Sequence, residues 1–352
     1  FARFIAKNHQ LVGLPYKRYQ IQPVWRADRP AKGRYREFFQ CDGDVAGSKS
    51  LMSDAEFIPI VDEVFEGLKL PSSVFKLNNR KILAGLAATL SKENGLVDMT
   101  TAVDKLDKIG IEGVEKELVT RGFSEHDINR IKDFIAINGG NDEKLEKLST
   151  FFDDENEAQQ GLLEIKEVLS YVSPLELKNT RVEVDFSLAR GLNYYTGTIF
   201  EVALDGVNMG SVASGGRYDN LTESFGVKDV PGVGLSFGAE RLYDVMEQLD
   251  LFPAELNNPV QVLLINFNTE LNPSYFKLAH ELRTAGISAE LYLQKAKIGK
   301  QMKFADQRNI PYVIIAGETE FESGVFQLKH LESGEQQSLS HSELLKHLSE
   351  SK

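Results

Sequence analysis

Hydrophobic and polar residues alternate with a period of two over residues 16–46. Tyr19, Ile21, Pro23 and Trp25, then Tyr35, Phe39, Cys41 and Val45, fall on odd positions. Arg18, Gln20, Gln22 and Arg26, then Arg36, Phe38, Gln40, Asp42 and Asp44, fall on even ones. Such alternation puts the two sets on opposite faces of a sheet. The segment therefore predicts a β-hairpin whose odd face lies on a core. Its even face carries arginines, amides, carboxylates and one aromatic ring. Residues 27–33, with Pro30 and Gly33, supply the loop.

From 54 to 172 the apolar spacing is mostly helical. Ser124, with Asp127 three positions on, predicts a helix start ahead of Ile128, Ile131, Phe134 and Ile135. Strand signals return at 181–190 and 197–204, followed by a Gly-rich turn at 214–217. Residues 231–238, with Gly232, Gly234 and Gly238, run into an amphipathic helix near 239–249. A linker is expected around 252–259. Beyond it, strands at 260–267, 287–293 and 311–316 alternate with helices at 273–285 and 298–308. That alternation argues for a small α/β domain with a largely parallel core. The organisation read from the pattern is an α+β unit in two parts, 1–53 and 173–252. A mostly helical insertion at 54–172 separates them, and an α/β domain at 259–352 follows.

Composition narrows the class. A chain of 352 residues, 42% hydrophobic and 26% charged, is neither disordered nor fibrous, and its length suits two or three domains. No apolar run is long enough to span a bilayer, so no membrane helix is expected. One cysteine, Cys41, excludes an intramolecular disulfide framework and points to a reducing compartment. It alternates onto the apolar face, where a buried, inert thiol is expected. The net charge of −12 argues against a general polyanion binder. Yet residues 17–36 hold seven basic side chains and one acidic one, Asp28, a stretch that can grip phosphates or simply be a solvated loop. There is no P-loop motif, and Phe237 stands where a dinucleotide turn after Gly232 and Gly234 would need a third glycine. The six histidines show no zinc-ligand spacing, so no metal site is expected from protein side chains.

Three segments carry the chemistry: Trp25-Arg26 to Gln40, Ala189-Arg190-Gly191-Leu192-Asn193-Tyr194-Tyr195-Thr196-Gly197, and Gly232-x-Gly234-x-Ser236-x-Gly238-x-Glu240-Arg241. In this order they resemble the histidyl-tRNA synthetases, a class II family. The first looks like the second signature motif of the class and the last like its third. Arg190 to Gly197, with Gly215-Gly216-Arg217-Tyr218-Asp219, looks like the family's own histidine motif.

The resemblance implies an antiparallel catalytic sheet carrying a helical insertion, plus a C-terminal anticodon-binding domain. It implies a histidine–tRNA ligase using ATP with Mg2+, with tRNA(His) and histidine as substrates, working as a cytoplasmic homodimer. The reaction shifts charge across phosphates, which favours fixed arginines because they stay charged and grip two oxygens at once. By motif match, Arg26 and Arg190 are the catalytic arginines. Arg26, Asp28, Arg34, Phe38, Gly238 and Arg241 bind ATP, with Phe38 stacked on adenine. Gln40, Asp44, Arg190, Tyr194, Tyr195 and Tyr218 read histidine. The insertion is expected to touch the acceptor stem and residues 259–352 the anticodon. The family's first signature motif and an acidic-threonine segment would lie upstream of Phe1, so a chain truly starting at Phe1 is expected to form an incomplete histidine site. The alternative reading is a catalytically inactive, synthetase-like regulatory or binding module. An unrelated ATP-dependent ligase is a more remote one.

Overall fold

The computed structural model describes residues 1–27, 29–31, 35–154, 156–189, 194–253 and 260–350. The chain forms two compact units, Phe1–Leu251 and Phe252–Lys352.

The first unit is built on seven strands: β1 (Tyr16–Trp25), β2 (Glu37–Ala46), β3 (Ser73–Asn79), β4 (Thr180–Val184), β5 (Thr198–Leu204), β6 (Ala213–Tyr218) and β7 (Gly232–Gly238). Their order is β1-β2-β7-β6-β5-β3-β4. Every neighbouring pair is antiparallel except β3 and β4, which run parallel. The expected hairpin is present, with Trp25 opposite Glu37 and Arg18 opposite Asp44. Its even face points away from the core. On the other face, the helix Phe57–Gly67 buries Phe57, Ile58, Val61 and Phe65 under the sheet. Phe65 meets Phe237 edge-on at 6.2 Å, and Phe75 meets Phe200 at 5.3 Å. Aromatic burial of this kind adds to the cohesion of a largely aliphatic core.

Three readings of the pattern change. The odd face of β1 does not lie on a core: Tyr19 is 82%, Ile21 60% and Trp25 68% exposed, and Phe39 on β2 is 50% exposed. The helix Phe57–Gly67 reaches only the inner part of the sheet, touching β2 at Gly43 and β7 at Phe237, while β1 is the outer strand. The segment 54–172 is not wholly insertion, because β3 lies inside it and pairs with both β4 and β5. β3 is buried on both faces, so it shows no alternation to mark it. The glycines at 215 and 216 belong to a strand rather than a turn. A Cβ at Gly215 would run into the Gly234 carbonyl, and one at Gly216 into the Thr198 carbonyl and the Tyr195 ring.

Six helices, Arg80–Ala88, Leu96–Val103, Leu106–Thr120, Glu125–Ile135, Asn141–Phe151 and Glu157–Val172, follow β3 and share its core. The start predicted at Ser124 is a full capping box. The Ser124 hydroxyl accepts from the Asp127 amide at 3.2 Å, and the Asp127 carboxylate accepts from the Ser124 amide at 3.3 Å. The strand expected over 181–190 ends at Val184.

The second unit has strands β8 (Val262–Leu264), β9 (Ala289–Leu291), β10 (Tyr312–Ile315), β11 (Val325–His330) and β12 (Gln336–Ser340) in the order β12-β11-β10-β8-β9. β9, β8 and β10 are parallel, as the strand–helix alternation predicted. The β11–β12 hairpin is antiparallel and extends that core. Val262 and Leu264 face one apolar cluster and Leu263 and Ile265 another, so the central strand is covered on both sides. Among the described residues, no helix is long and apolar enough to cross a membrane.

Candidate active site

The even face of β2 forms the floor of a cavity. Register places Gln40 opposite Gly238, Asp42 opposite Ser236 and Asp44 opposite Gly234 on β7. On β6, Ser214, Gly216 and Tyr218 align with Ser236, Gly234 and Gly232. Above this floor lies a cavity of about 530 Å³, lined by Arg26, Phe38, Gln40, Tyr194, Tyr195, Gly238 and Arg241 together with Ser211, Ser214, Ser236 and Glu240. Residues far apart in sequence thus meet at one opening.

At one end the Arg26 guanidinium lies 5.0 Å from the centre of the Phe38 ring, a cation–π contact that pairs a charge with a flat apolar surface. Arg241, in the first turn of the helix Ala239–Gln248, donates to the Ser211 carbonyl. Its neighbour Glu240 accepts from the Phe39 amide and ties the helix start to β2. The Tyr35 hydroxyl lies 3.2 Å from Asp244 on the same helix. Desolvation and that carboxylate raise the Tyr35 pKa. This end of the cavity combines fixed cations with a stacking surface, a fit for a nucleoside triphosphate.

Beside the cavity, Asp44 is held from two sides. Arg18 Nη2 lies 2.8 Å from its Oδ2, and the Tyr218 hydroxyl donates to its Oδ1 at 2.6 Å. Burial raises the Asp44 pKa, while the Tyr218 hydrogen bond and the Arg18 charge oppose the rise. Burial and the same carboxylate raise the Tyr218 pKa, so its hydroxyl stays protonated. Tyr194 stacks tilted on Tyr195 at 4.6 Å and meets Tyr218 edge-on at 6.3 Å. Tyr194 and Tyr195 thus stand on the cavity wall, with Tyr218 and the Asp44 carboxylate beside them.

The sheet beneath is pinned by a buried ion pair. Arg217, next to Tyr218 but on the opposite face, binds the fully buried Asp54 through Nε at 3.1 Å and through Nη2. It also donates to the carbonyls of Ser48 and Ser50, and Thr198 donates to Asp54. Thr196 donates to Asp219 at 2.6 Å, fixing the segment that follows Tyr195.

Asp28, Arg34 and Arg190 lie outside the described residues. The approach to Arg190 is held in place: Asn78 Nδ2 donates to the carbonyls of Phe186 and Leu188, and Arg80 Nη1 to that of Ala189. Asp44 and Tyr218 sit beside the lined cavity, joined to each other and to Arg18. No individual role was read for Arg18, Ser211, Ser214, Ser236 or Glu240, although Ser236 and Glu240 stand in the third of the three segments. Arg18 carried a signal, since it shares the even face with Asp44. Ser236 and Glu240 carried only their place in the third segment, and Ser211 and Ser214 came into view with strand register. Cys41 is half-buried, and its thiol pKa is raised by burial and then by Asp42. Among the described residues, no group of three or more His, Cys, Asp or Glu side chains is placed to hold a metal ion.

The sequence matches the family profile Histidyl-tRNA synthetase over residues 1–242 and the profile Anticodon binding domain over residues 261–351. A curated relative from Christiangramia forsetii named Histidine--tRNA ligase is 49% identical over 340 residues, covering 96% of this chain and 75% of the relative. One of the same name from Porphyromonas gingivalis is 50% identical over 339 residues, covering 96% and 74%. Among solved structures, histidyl-tRNA synthetase from Nostoc sp. PCC 7120 superposes with a TM-score of 0.84 at 33% identity, covering all of this chain and 81% of that one.

Proposed function

The chain belongs to the histidyl-tRNA synthetase family, and we propose that it works as a histidine–tRNA ligase through the cavity above β2, β7 and β6. The observation that carries this reading is the meeting of Arg26, Phe38, Gln40, Tyr194, Tyr195 and Arg241, drawn from three sequence segments, around one cavity.

In the first step a carboxylate oxygen of histidine bonds to the α-phosphorus of ATP, and the bond from that phosphorus to the β-phosphate oxygen breaks, releasing pyrophosphate. In the second, a hydroxyl at the 3′ end of tRNA attacks the histidyl carbonyl carbon, and AMP leaves. Neither step needs a protein nucleophile, so the protein contributes position and fixed charge. Arg26 faces the α-phosphate and the attacking carboxylate while Phe38 stacks on adenine. Arg241 holds the terminal phosphate, and Gly238 lets the nucleotide approach the backbone. The motif match adds Arg190 at the α-phosphate and Asp28 and Arg34 on the remainder of ATP. Gln40 and Asp44 hold the amino acid, with Tyr194, Tyr195 and Tyr218 around its ring. Mg2+ would supply charge neutralisation for the departing pyrophosphate, and Glu240 is the cavity residue that would help hold it. The one carboxylate among the described residues lining the cavity is Glu240.

The C-terminal unit is the tRNA-reading part. In this acidic chain, Lys295, Lys297, Lys300 and Lys303 are exposed, and none is in an ion pair among the described residues. That is an electrostatic footprint suited to a phosphate backbone. The protein acts in the cytoplasm as a homodimer, a reading that rests on the family. Sedimentation of the native protein at twice the chain mass supports the dimer, and a single-chain mass removes it.

Histidine-dependent exchange of radiolabelled pyrophosphate into ATP tests the activity directly. The expected result is exchange with histidine and none with other amino acids. Absence of exchange in folded native protein overturns the reading in favour of a non-charging binding module.

A further inference from the structure

On the reading that the cavity takes histidine, we propose that Arg18 is a positioning residue for the amino-acid pocket: it pins the Asp44 carboxylate, which in turn orients the Tyr218 hydroxyl toward the substrate ring.

Arg18 and Asp44 are direct cross-strand partners on β1 and β2. Both side chains are mostly buried, with 16% and 13% of their surface exposed. Arg18 Nη2 binds Asp44 at 2.8 Å, and Nη1 donates to the Gln20 side-chain oxygen. The Phe1 ring covers the guanidinium at 4.3 Å, and Nε is buried with no partner. Arg18, Asp44 and Tyr218 all lie beside the residues that line the cavity. Arg18 is bound to Asp44 and Asp44 to Tyr218, so its influence on the pocket runs through that chain of contacts.

The consequence runs through one proton. Tyr218 spends its single hydroxyl proton on Asp44, so only acceptor lone pairs remain for a substrate. An acceptor in that place suits an imidazole N–H. A carboxyl that became protonated would itself need an acceptor, and Tyr218 would be free to turn its proton inward. The groups that face Asp44 are Arg18 from β1, Asp42 from its own strand and Tyr218 from β6, with Tyr194 acting on Tyr218 from behind. Gly234 on β7 brings no charge. Of these, Arg18 is the cation that opposes burial and Asp42.

The test measures pyrophosphate exchange by Arg18→Met, Arg18→Gln and Arg18→Lys in the native protein, across pH. For Arg18→Met the expected KM for histidine rises at least about tenfold, with kcat and the KM for ATP changed less than about threefold. The acid limb of kcat/KM for histidine moves to higher pH by about one unit, because Asp44 takes a proton more readily. Arg18→Lys keeps the charge and holds the limb near its native position. If Arg18→Met does not fold, Arg18→Gln carries the same expectations with a smaller change in shape. A native KM and acid limb in either neutral variant overturns the proposal, as does a loss shared equally by histidine and ATP. A native protein with no histidine-dependent exchange is a different failure, that of the functional reading itself.

Discussion

Gly234 lies directly opposite Asp44 across β7 and β2, in the space that a Cβ would share with the Asp44 carboxylate. In the fold this glycine makes room for the Asp44 side chain. Gly234→Ala is expected to push Asp44 off Tyr218 and to cost about 1–3 kcal/mol of stability. The KM for histidine should rise more than that for ATP. Chemical denaturation paired with exchange kinetics checks both, and an unperturbed histidine KM contradicts the packing account.

At the nucleotide end, Arg26→Ala is expected to cut the rate of adenylate formation by about 10²–10³ while leaving the melting temperature unchanged, because Arg26 is exposed at the cavity rim. Phe38→Ala removes the stacking surface and is expected to raise the KM for ATP about tenfold, a loss in the range of one base–aromatic stack. Arg190→Ala should collapse adenylate formation with folding intact. Single-turnover formation of histidyl-adenylate distinguishes the three, and survival of activity in Arg190→Ala removes that residue from the catalytic set.

Beneath the sheet, the Arg217–Asp54 pair should behave differently. Neither residue reaches solvent freely, and removing one strands the other. Arg217→Met is expected to destabilise the first unit by about 3–5 kcal/mol. The double variant Arg217→Met with Asp54→Leu should recover part of that loss. A calorimetric scan of the native protein, the two single variants and the double variant measures the coupling, and strict additivity contradicts it.

The capping box at Ser124 makes a pH prediction. Burial pushes the Asp127 carboxyl up, but hydrogen bonds from Ser91 and Ser124 outweigh it and hold it at about 2. A depressed carboxylate stabilises the fold above its unfolded value and loses that contribution as pH falls through the folded one. About 2 kcal/mol is therefore present above pH ~5 and disappears between pH ~4 and ~2. Asp127→Asn should flatten that part of the stability profile. Denaturant midpoints from pH 6 to 2 read the difference directly.

Much of the site could be read from sequence because its chemistry depends on residue type at fixed spacing. Alternation along the hairpin put Arg26, Phe38, Gln40 and Asp44 on one face, and strand register keeps them there. What escaped depended on partners that spacing does not encode. Tyr19, Ile21 and Trp25 looked like core because alternation marks an apolar face without saying what covers it. β3 was lost among helices because a strand buried on both sides carries no period-two signal. Gly215 and Gly216 suggested a turn, whereas the closeness of Gly234 and of Tyr195 is what excludes a side chain there. Arg18 shared the even face with Asp44, but only register made the two neighbours.

The parallel pairing of β3 with β4 sets a timetable for biosynthesis. The Ser73 and Thr180 hydroxyls, 2.9 Å apart in the finished sheet, are 107 positions apart in the chain. At about 5–20 residues per second, β3 leaves the ribosome roughly 5–20 s before either neighbouring strand can exist. Through that interval its two apolar faces and both edges depend on the helices translated next for shelter.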